Sequence, residues 1–164
     1  MSEIWSLVDS EGREVGVDWL RSERESMPEG LCHPCVEVWV MIGDKLLLTK
    51  RHPNKSNGLK FDCPGGAVVK GESMIDGAIR ELFEEVGISA SADDLRLLGG
   101  LAIKKVYANS YLLRLESLPD LRLQPSEVVG YELMTESQVE LRQDELTPGT
   151  RSRFMLYRKA IFNG

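Results

Sequence analysis

Apolar and polar positions recur at two different periods along the chain, and each period predicts a different kind of element. Residues 36–42 and Lys45–Arg51 are apolar-rich runs on either side of Gly43-Asp44, a pattern typical of two strands joined by a tight turn. Residues 73–86 instead carry apolar side chains at helical spacing, and Gly87 is a typical C-terminal stop. The centre of the chain therefore predicts a β-hairpin followed by an amphipathic helix.

Weaker patterns predict the elements on either side of this centre. Residues 4–8 and 13–16 flank a polar turn and predict an N-terminal hairpin, which fills residues 1–30 together with its lead-in. The other predicted elements are strands at 67–69, 95–98, 101–107, 110–115 and 127–134, with a break at Gly99-Gly100, and helices at 136–142 and 150–162, the second after a turn at 147–149. This order favours an α/β fold, a single domain of residues 1–164 in which a mixed β-sheet lies between helices as an α/β/α sandwich.

The most informative spacing lies in residues 66–88. Its distinctive positions are Gly66, Glu72, Arg80, Glu81, Leu82, Glu84, Glu85, Gly87 and Ile88. Glu81, Glu84 and Glu85 stand at i, i+3 and i+4, so they share one face of the predicted helix. Carboxylates crowded in this way repel one another, and a hard divalent cation with oxygen ligands compensates for that repulsion. The segment therefore predicts a metal site in preference to a solvated acidic face.

The same positions match a known motif. The segment resembles the Nudix box, G-x5-E-x7-R-E-U-x-E-E-x-G-U with U apolar, at every specified position. The resemblance implies a Nudix fold and a pyrophosphohydrolase that uses Mg²⁺, with Mn²⁺ as a substitute, to cleave a diphosphate linkage in a nucleotide or another small molecule. It assigns the metal contacts to Gly66, Glu81, Glu84 and Glu85. It also implies that Glu72 and Arg80 support these ligands, since an arginine can hold a neighbouring carboxylate by a charge-assisted hydrogen bond.

Hydrolysis also needs a base for the attacking water, and the box offers Glu84 and Glu85 as first candidates. Several Nudix enzymes add a later glutamate whose position varies. Glu116 and Glu127 are the candidates here, and Glu127 is favoured because it opens a predicted strand after a loop. The predicted catalytic residues are therefore Glu84, Glu85 and Glu127.

Basic residues cluster around the polar loop 52–59 that precedes the box. Arg51, Lys55 and Lys60 are candidates for contacts with substrate phosphate oxygens, and the alternative is a solvated basic loop. Just upstream, Cys32-x-x-Cys35 allows a zinc interpretation. A structural zinc takes four ligands, usually as two separated pairs, so small core side chains are the favoured interpretation of these cysteines.

Composition narrows the class of partner. The chain has 20 Lys and Arg against 26 Asp and Glu, a net charge of −6, which argues against binding to a nucleic-acid polymer. Its apolar runs are too short to span a membrane, so no membrane partner is expected. Three cysteines and an N-terminus without a signal-peptide pattern predict a cytoplasmic protein. The expected partner is a small diphosphate substrate, and the family resemblance adds a homodimer as the candidate assembly.

Two other functions compete with hydrolysis. The N-terminal hairpin, His33-Pro34 and the box together resemble the isopentenyl-diphosphate isomerase branch of the superfamily. Those isomerases carry a cysteine immediately before the glycine that starts the box-like segment, whereas this chain has Gly65 there and Cys63 two residues earlier. The second alternative is a non-catalytic module that binds a diphosphate ligand. Retention of the complete set of box glutamates argues against it, because unpaired clustered carboxylates are costly without a metal.

Overall fold

The computed structural model describes residues 2–164, and a seven-stranded mixed sheet organises them. Its strands are β3 (His33–Ile42), β4 (Lys45–Arg51), β5 (Phe61–Asp62), β6 (Gly65–Ala67), β7 (Arg96–Ile103), β8 (Val106–Leu115) and β9 (Val128–Met134), with a separate N-terminal hairpin of β1 (Ile4–Val8) and β2 (Glu14–Leu20). The main order is β5-β4-β3-β8-β7, while β6 pairs with β3 and β9 pairs with β4. The central pair β3–β8 is parallel and its neighbours are antiparallel, so the predicted mixed sheet is confirmed.

Three α-helices cover the sheet, namely α1 (Met74–Val86), α2 (Glu136–Leu141) and α3 (Pro148–Asn163). Short 3-10 turns lie at Arg21–Ser26, Ala92–Asp94 and Gln143–Glu145. Within residues 2–164, none of the helices combines the length and apolar character needed to cross a bilayer.

The central strand β3 shows why helices lie on both faces of the sheet. Its side chains alternate between two cores, as the period of a strand requires. On one face, Val38 is fully buried in a core that includes Leu82 of α1. On the other, Trp39 is fully buried in a core that includes Phe154 of α3. Because a helix packs on each face of β3, the sheet is the middle layer of the predicted α/β/α sandwich.

Local sequence explains both ends of α1, the helix that carries the box. The hydroxyl of Ser73 accepts a hydrogen bond from the backbone N–H of Asp76 at 3.2 Å, which caps the first turn. Gly87 ends the helix with a φ of 75°, a left-handed conformation that glycine adopts without strain, and its N–H donates to the Phe83 carbonyl oxygen. Both boundaries agree with the sequence prediction to within a residue.

Several details of the prediction are wrong: the strand expected at 67–69 is Gly65–Ala67, and two expected boundaries at glycines are misplaced. The glycines Gly99-Gly100 do not break a strand, because β7 passes through them with a register shift, and Gly100 leaves room for the ring of Tyr107 to pack across it. The real break is the turn at Lys104, where φ is 55°. The turn expected at 147–149 is instead the start of α3, because Thr147 caps the helix and Pro148 suits its first turn.

Candidate active site

The three box glutamates of α1 face an open cleft of about 290 Å³, called here the carboxylate cleft. The side chain of Glu81 is 14% exposed, that of Glu84 is 47% exposed, and Glu85 is buried. Strand β6 lines the same cleft through Gly65, Gly66 and Ala67. The structure thus brings the predicted metal ligands of α1 and β6 together at one place.

Gly66 fits this cleft because it has no side chain. A Cβ at this position would lie 2.6 Å from Oε1 of Glu81, which is closer than any real contact allows. The backbone of Gly66 is held by its pairing with Val36 of β3. Glycine at this position therefore allows strand β6 to run beside the carboxylate of α1.

Arg80 holds the carboxylates of this region together. Its Nε and Nη2 donate to the two carboxylate oxygens of Glu72 at 2.7 and 2.9 Å, and Nη2 also donates to the Ala67 carbonyl oxygen at 3.0 Å. Its Nη1 donates to Glu81 at 2.7 Å and to Glu84 at 3.2 Å. These hydrogen bonds from Arg80 lower the pKa of Glu72. Glu72 and Arg80 therefore form an ionised anchor beside the cleft.

Glu85 has the most unusual environment of the three. Burial raises its pKa to about 8, and the nearby charges of Glu81 and Asp62 act in the same direction. The backbone N–H of Gly65 donates to Glu85 Oε2 at 3.3 Å, which only partly offsets the burial. Burial also raises the pKa of Glu81. Glu81 and Glu85, two carboxyl groups whose pKa values are raised, therefore both lie at the cleft.

The chemistry of this donor set fits a hard divalent cation. The side-chain oxygen atoms of α1 that face the cleft all belong to carboxylates, the ligand type that Mg²⁺ and Mn²⁺ bind. Among residues 2–164, no three acidic, histidine or cysteine side chains are already arranged as a chelating group. Glu81 and Glu84 are bonded to Arg80 instead. Arg80 bonds Oε1 of Glu81 and Oε2 of Glu84, so the other oxygen of each carboxylate is the one that a cation would use.

Glu127 lies in the same cleft as the box, although it is distant in sequence. It shares a small recess with Glu85 and forms an ion pair with Lys55. Arg51 also lines the cleft and donates to Asp62 at 3.1 Å. Glu127, Lys55 and Arg51 therefore all line the cleft that holds the box glutamates.

Lys60 is placed elsewhere. Its ammonium group donates to the Asp144 carbonyl oxygen at 2.7 Å, and it lines neither the carboxylate cleft nor the recess beside it. The loop turns through residues of positive φ at Asn57 and Leu59, which carries the chain away before Lys60. The structure therefore does not support a phosphate contact by Lys60.

A buried polar group in a neighbouring pocket, which shares Gly65 and Gly66 with the cleft, was not predicted from the sequence. Glu37 is 3% exposed and accepts hydrogen bonds from Trp39 at 2.7 Å, Ser110 at 2.6 Å and Arg153 Nε at 2.6 Å. Burial raises the pKa of Glu37, with Arg153 and Ser110 opposing the rise. A glutamate in the middle of an apolar strand was the signal available in the sequence, because a buried carboxylate requires partners.

The cysteines occupy packed positions near the cleft. Cys32 and Cys63 are buried, as predicted for core side chains. Cys35 lies 3.3 Å from His33 Nδ1, and burial raises the pKa of its thiol to about 12. The ring of His33 in turn stacks on Trp5 at a centroid distance of 4.1 Å. These contacts account for the cysteines and for His33 as packing groups.

Comparison with known sequences agrees with the site geometry. Residues 32–155 match the family model of the NUDIX domain. An uncharacterized Nudix hydrolase from Clostridium acetobutylicum is 30% identical over 142 residues, which are 78% of this chain and 68% of that protein. Two further relatives match over shorter stretches, and the chain spans 29% and 48% of their lengths.

Comparison with solved structures adds the fold. A Deinococcus radiodurans protein has a TM-score of 0.69 at 25% identity, over 87% of this chain and 89% of that one. A bifunctional NMN adenylyltransferase/ADP ribose pyrophosphatase from Francisella tularensis, solved with AMP and a Mn ion, has a TM-score of 0.64 at 16% identity, over 79% and 42%. The second likeness shows the fold alone. With the family model matched over most of its length, the chain belongs to the Nudix hydrolase family and is a pyrophosphohydrolase by class.

Proposed function

We propose that this enzyme uses Mg²⁺ to hydrolyse a diphosphate linkage in a nucleotide or another diphosphate-linked small molecule. One observation carries the proposal: Glu81, Glu84 and Glu85 face a single open cleft opposite Gly66, whose missing side chain leaves room for the Glu81 carboxylate. Clustered carboxylates beside a glycine turn suit a metal-assisted reaction better than they suit a stable core.

In this proposal Glu81, Glu84, Glu85 and the Gly66 carbonyl hold the cation. When bound, the cation neutralises charge on the diphosphate oxygens and lowers the pKa of the attacking water. Mn²⁺, the ion named with the Francisella tularensis structure, is the proposed substitute for Mg²⁺. Glu72 accepts two hydrogen bonds from Arg80 and so fixes its guanidinium group. The guanidinium group in turn positions the metal ligands beside it.

The protein groups around the substrate have distinct tasks. Glu85 is the first candidate for the base that takes a proton from the attacking water, because it lines both the carboxylate cleft and the recess that holds Glu127. Glu84 is its neighbour on the same helix face, and Glu127 is the second source of a base, held in position by Lys55. Arg51 and Lys55 supply positive charge for phosphate oxygens as the linkage breaks.

A turnover screen tests this function. Wild-type protein and Glu85→Gln are assayed with and without Mg²⁺ on nucleoside di- and triphosphates, nucleotide sugars, dinucleotides, coenzyme A and isopentenyl diphosphate. Glu11→Gln is the matched control, because Glu11 is an exposed glutamate paired with Arg13 in the N-terminal turn. Mg²⁺-dependent hydrolysis that is lost in Glu85→Gln and kept in Glu11→Gln supports the proposal.

Other outcomes of the screen identify the competing functions. Conversion of isopentenyl diphosphate to its isomer without hydrolysis of any compound would establish the isomerase, a branch that remains a prediction. Tight binding without turnover would indicate a ligand-binding module. The small-molecule substrate, the cytoplasmic location and the homodimer are part of the same proposal, and cell fractionation and analytical ultracentrifugation test the last two.

A further inference from the structure

A second compartment adjoins the carboxylate cleft, and cationic side chains outnumber acidic ones in its lining. It encloses about 480 Å³ and shares His33, Arg24 and Arg51 with the cleft. Its cationic side chains are Arg24, Arg51, Lys104, Lys105 and Arg153, and its acidic ones are Glu25 and Asp62. We call it the basic compartment. An excess of cations is unexpected in a chain whose net charge is −6, so the compartment is a local concentration of positive charge.

Arg153 is the fixed point of the basic compartment. Its side chain is only 13% exposed, and its Nε donates to the buried carboxylate of Glu37 at 2.6 Å. That ion pair holds the guanidinium from behind. The helix residue in front of it is Gly149, where a Cβ would lie 3.1 Å from Nη2 and 3.2 Å from Nη1. A side chain at this position would crowd the two terminal nitrogens of Arg153, and glycine avoids that.

These two nitrogens are open to a ligand. In the described chain, the hydrogen bond of the Arg153 side chain is the one from Nε to Glu37. Throughout residues 2–164, no side-chain nitrogen sealed from solvent lacks a partner, so Nη1 and Nη2 remain accessible from the compartment. A guanidinium that is fixed by a carboxylate on one side and open on the other is pre-organised to bind an oxyanion with two parallel hydrogen bonds.

The other cations of the compartment reinforce this preference. Lys105 donates to the Met27 carbonyl oxygen at 2.8 Å, which fixes its ammonium group without neutralising it. Lys104 occupies the exposed turn between β7 and β8. Arg24 has only the exposed Glu25 as an ionic neighbour, at 3.5 Å, and such a pair is weak in water. Arg51 is paired with Asp62, so the additional charge available to an anion comes from Lys104, Lys105 and the weakly paired Arg24.

We propose that the basic compartment is a second anion subsite, in which Arg153 binds a terminal phosphate or carboxylate on the part of the substrate that lies beyond the diphosphate. The inference rests on the proposed function, since it assumes that the diphosphate occupies the carboxylate cleft. It narrows the substrate class to diphosphate compounds that carry a further terminal oxyanion. Arg24 and Arg51 line both compartments, so one molecule can reach from the cleft into the subsite.

Binding of simple anions to the metal-free protein tests the subsite without using turnover. Titration with inorganic phosphate, and separately with acetate, in the presence of a chelator measures anion binding by the metal-free protein, and the variants assign that binding to the basic compartment or to another site. Arg153→Lys keeps a positive charge near Glu37 but loses the two-nitrogen fork. Arg151→Lys is the matched control, since Arg151 lies on the same helix and pairs with the exposed Asp144 at 3.2 Å.

The expected result is a fall of about 10-fold or more in affinity for Arg153→Lys, the scale of one charge-assisted hydrogen bond, with no change for Arg151→Lys. The anion that binds more tightly, phosphate or acetate, identifies the terminal group as a phosphate or a carboxylate. Because Arg153→Lys disturbs a buried ion pair, Lys105→Met is a second variant outside that pair, and it should also weaken binding.

Two outcomes overturn the subsite: wild-type protein that binds neither anion, or equal binding by wild type, Arg153→Lys and Lys105→Met. These results can be told apart from a failure of the proposed function. A protein that hydrolyses a diphosphate with Mg²⁺ but shows no Arg153-dependent anion binding retains the function and loses the subsite. A protein that binds phosphate through Arg153 but turns over no diphosphate retains the subsite and loses the function.

Discussion

Gly66 and Glu81 lie so close that the space normally taken by a Cβ at position 66 is occupied by the Glu81 carboxylate, with 2.6 Å from that Cβ position to the carboxyl carbon. The Glu81 carboxylate can occupy this position only because residue 66 has no side chain. The relationship explains in physical terms why a glycine at the start of the box and a glutamate fifteen residues later form one site.

Gly66→Ala should therefore damage the site more than the fold. The added methyl group displaces the Glu81 carboxylate, and a displacement of about 1 Å at a catalytic centre can lower the rate about 100-fold. Gly130→Ala is the control, because a Cβ at position 130 of β9 meets nothing within 4 Å. Steady-state kinetics and circular dichroism measure both effects. Equal activity in the two variants would contradict the placement of Glu81 in the active centre.

Arg80→Lys should weaken metal binding while it keeps the charge. A lysine cannot reproduce the fork that donates to both oxygens of Glu72 and to Glu81. We expect the Mg²⁺ concentration for half-maximal activity to rise by about 10- to 100-fold, as when a group that orients a ligand is lost. Arg96→Lys, an exposed site on β7, should behave as wild type. A lower Mg²⁺ requirement would show instead that Arg80 competes with the metal.

Glu85→Gln should make the metal-free protein more stable at alkaline pH. The folded-state pKa of about 8 lies above the unfolded value of 4.5, so the folded state binds the proton more tightly. The stabilisation by protonated Glu85 is therefore complete below pH 4.5 and is lost as the pH rises through 8. Glutamine does not titrate, so the variant should be more stable at pH 9, by up to a few kcal/mol.

Urea unfolding with a chelator, at pH 5 and at pH 9, measures this difference. Glu11→Gln provides the comparison, since Glu11 is an exposed residue of the hairpin turn. A variant with the same pH dependence as wild type would show that Glu85 is ionised normally. The same substitution should abolish most turnover, so the residue would contribute to function at a cost in stability.

Cys63→Ala tests the isomerase alternative. Cys63 is 4% exposed in the core against α3, and burial raises the pKa of its thiol well above the usual value, so it is a poor nucleophile or proton donor. Hydrolysis should stay within about twofold of wild type, with a loss of about 1 kcal/mol in the free energy of unfolding. Loss of activity in a folded Cys63→Ala protein would restore the cysteine-based mechanism.

The predictions that succeeded from sequence depend on local spacing. The positions of Glu81, Glu84 and Glu85 on one face of α1 follow from the period of a helix, and the cap at Ser73 fixes where that helix begins. The two faces of β3 likewise follow from the period of a strand. Neither inference required knowledge of how distant segments pack.

The features that sequence analysis missed or misplaced depend on distant packing. Arg153 and Glu37 are 116 residues apart in sequence, and no local pattern pairs them. Lys60 and Lys55 both belong to a basic segment, but the backbone turn at Leu59 separates them. The composition of Gly99-Gly100 predicts a strand break, yet β7 continues through both glycines because it pairs with β8 there. In each case tertiary contacts override a local tendency.

The most direct test of the central claim is Mn²⁺ binding followed by electron paramagnetic resonance, with Mg²⁺ as competitor. The account predicts that wild-type protein and Glu11→Gln bind Mn²⁺ with the same affinity and release it as Mg²⁺ is added. Glu81→Gln and Glu85→Gln should bind at least about 10-fold more weakly, since each removes a carboxylate ligand. Unchanged Mn²⁺ affinity in both box variants would contradict the assignment of the metal to the carboxylate cleft.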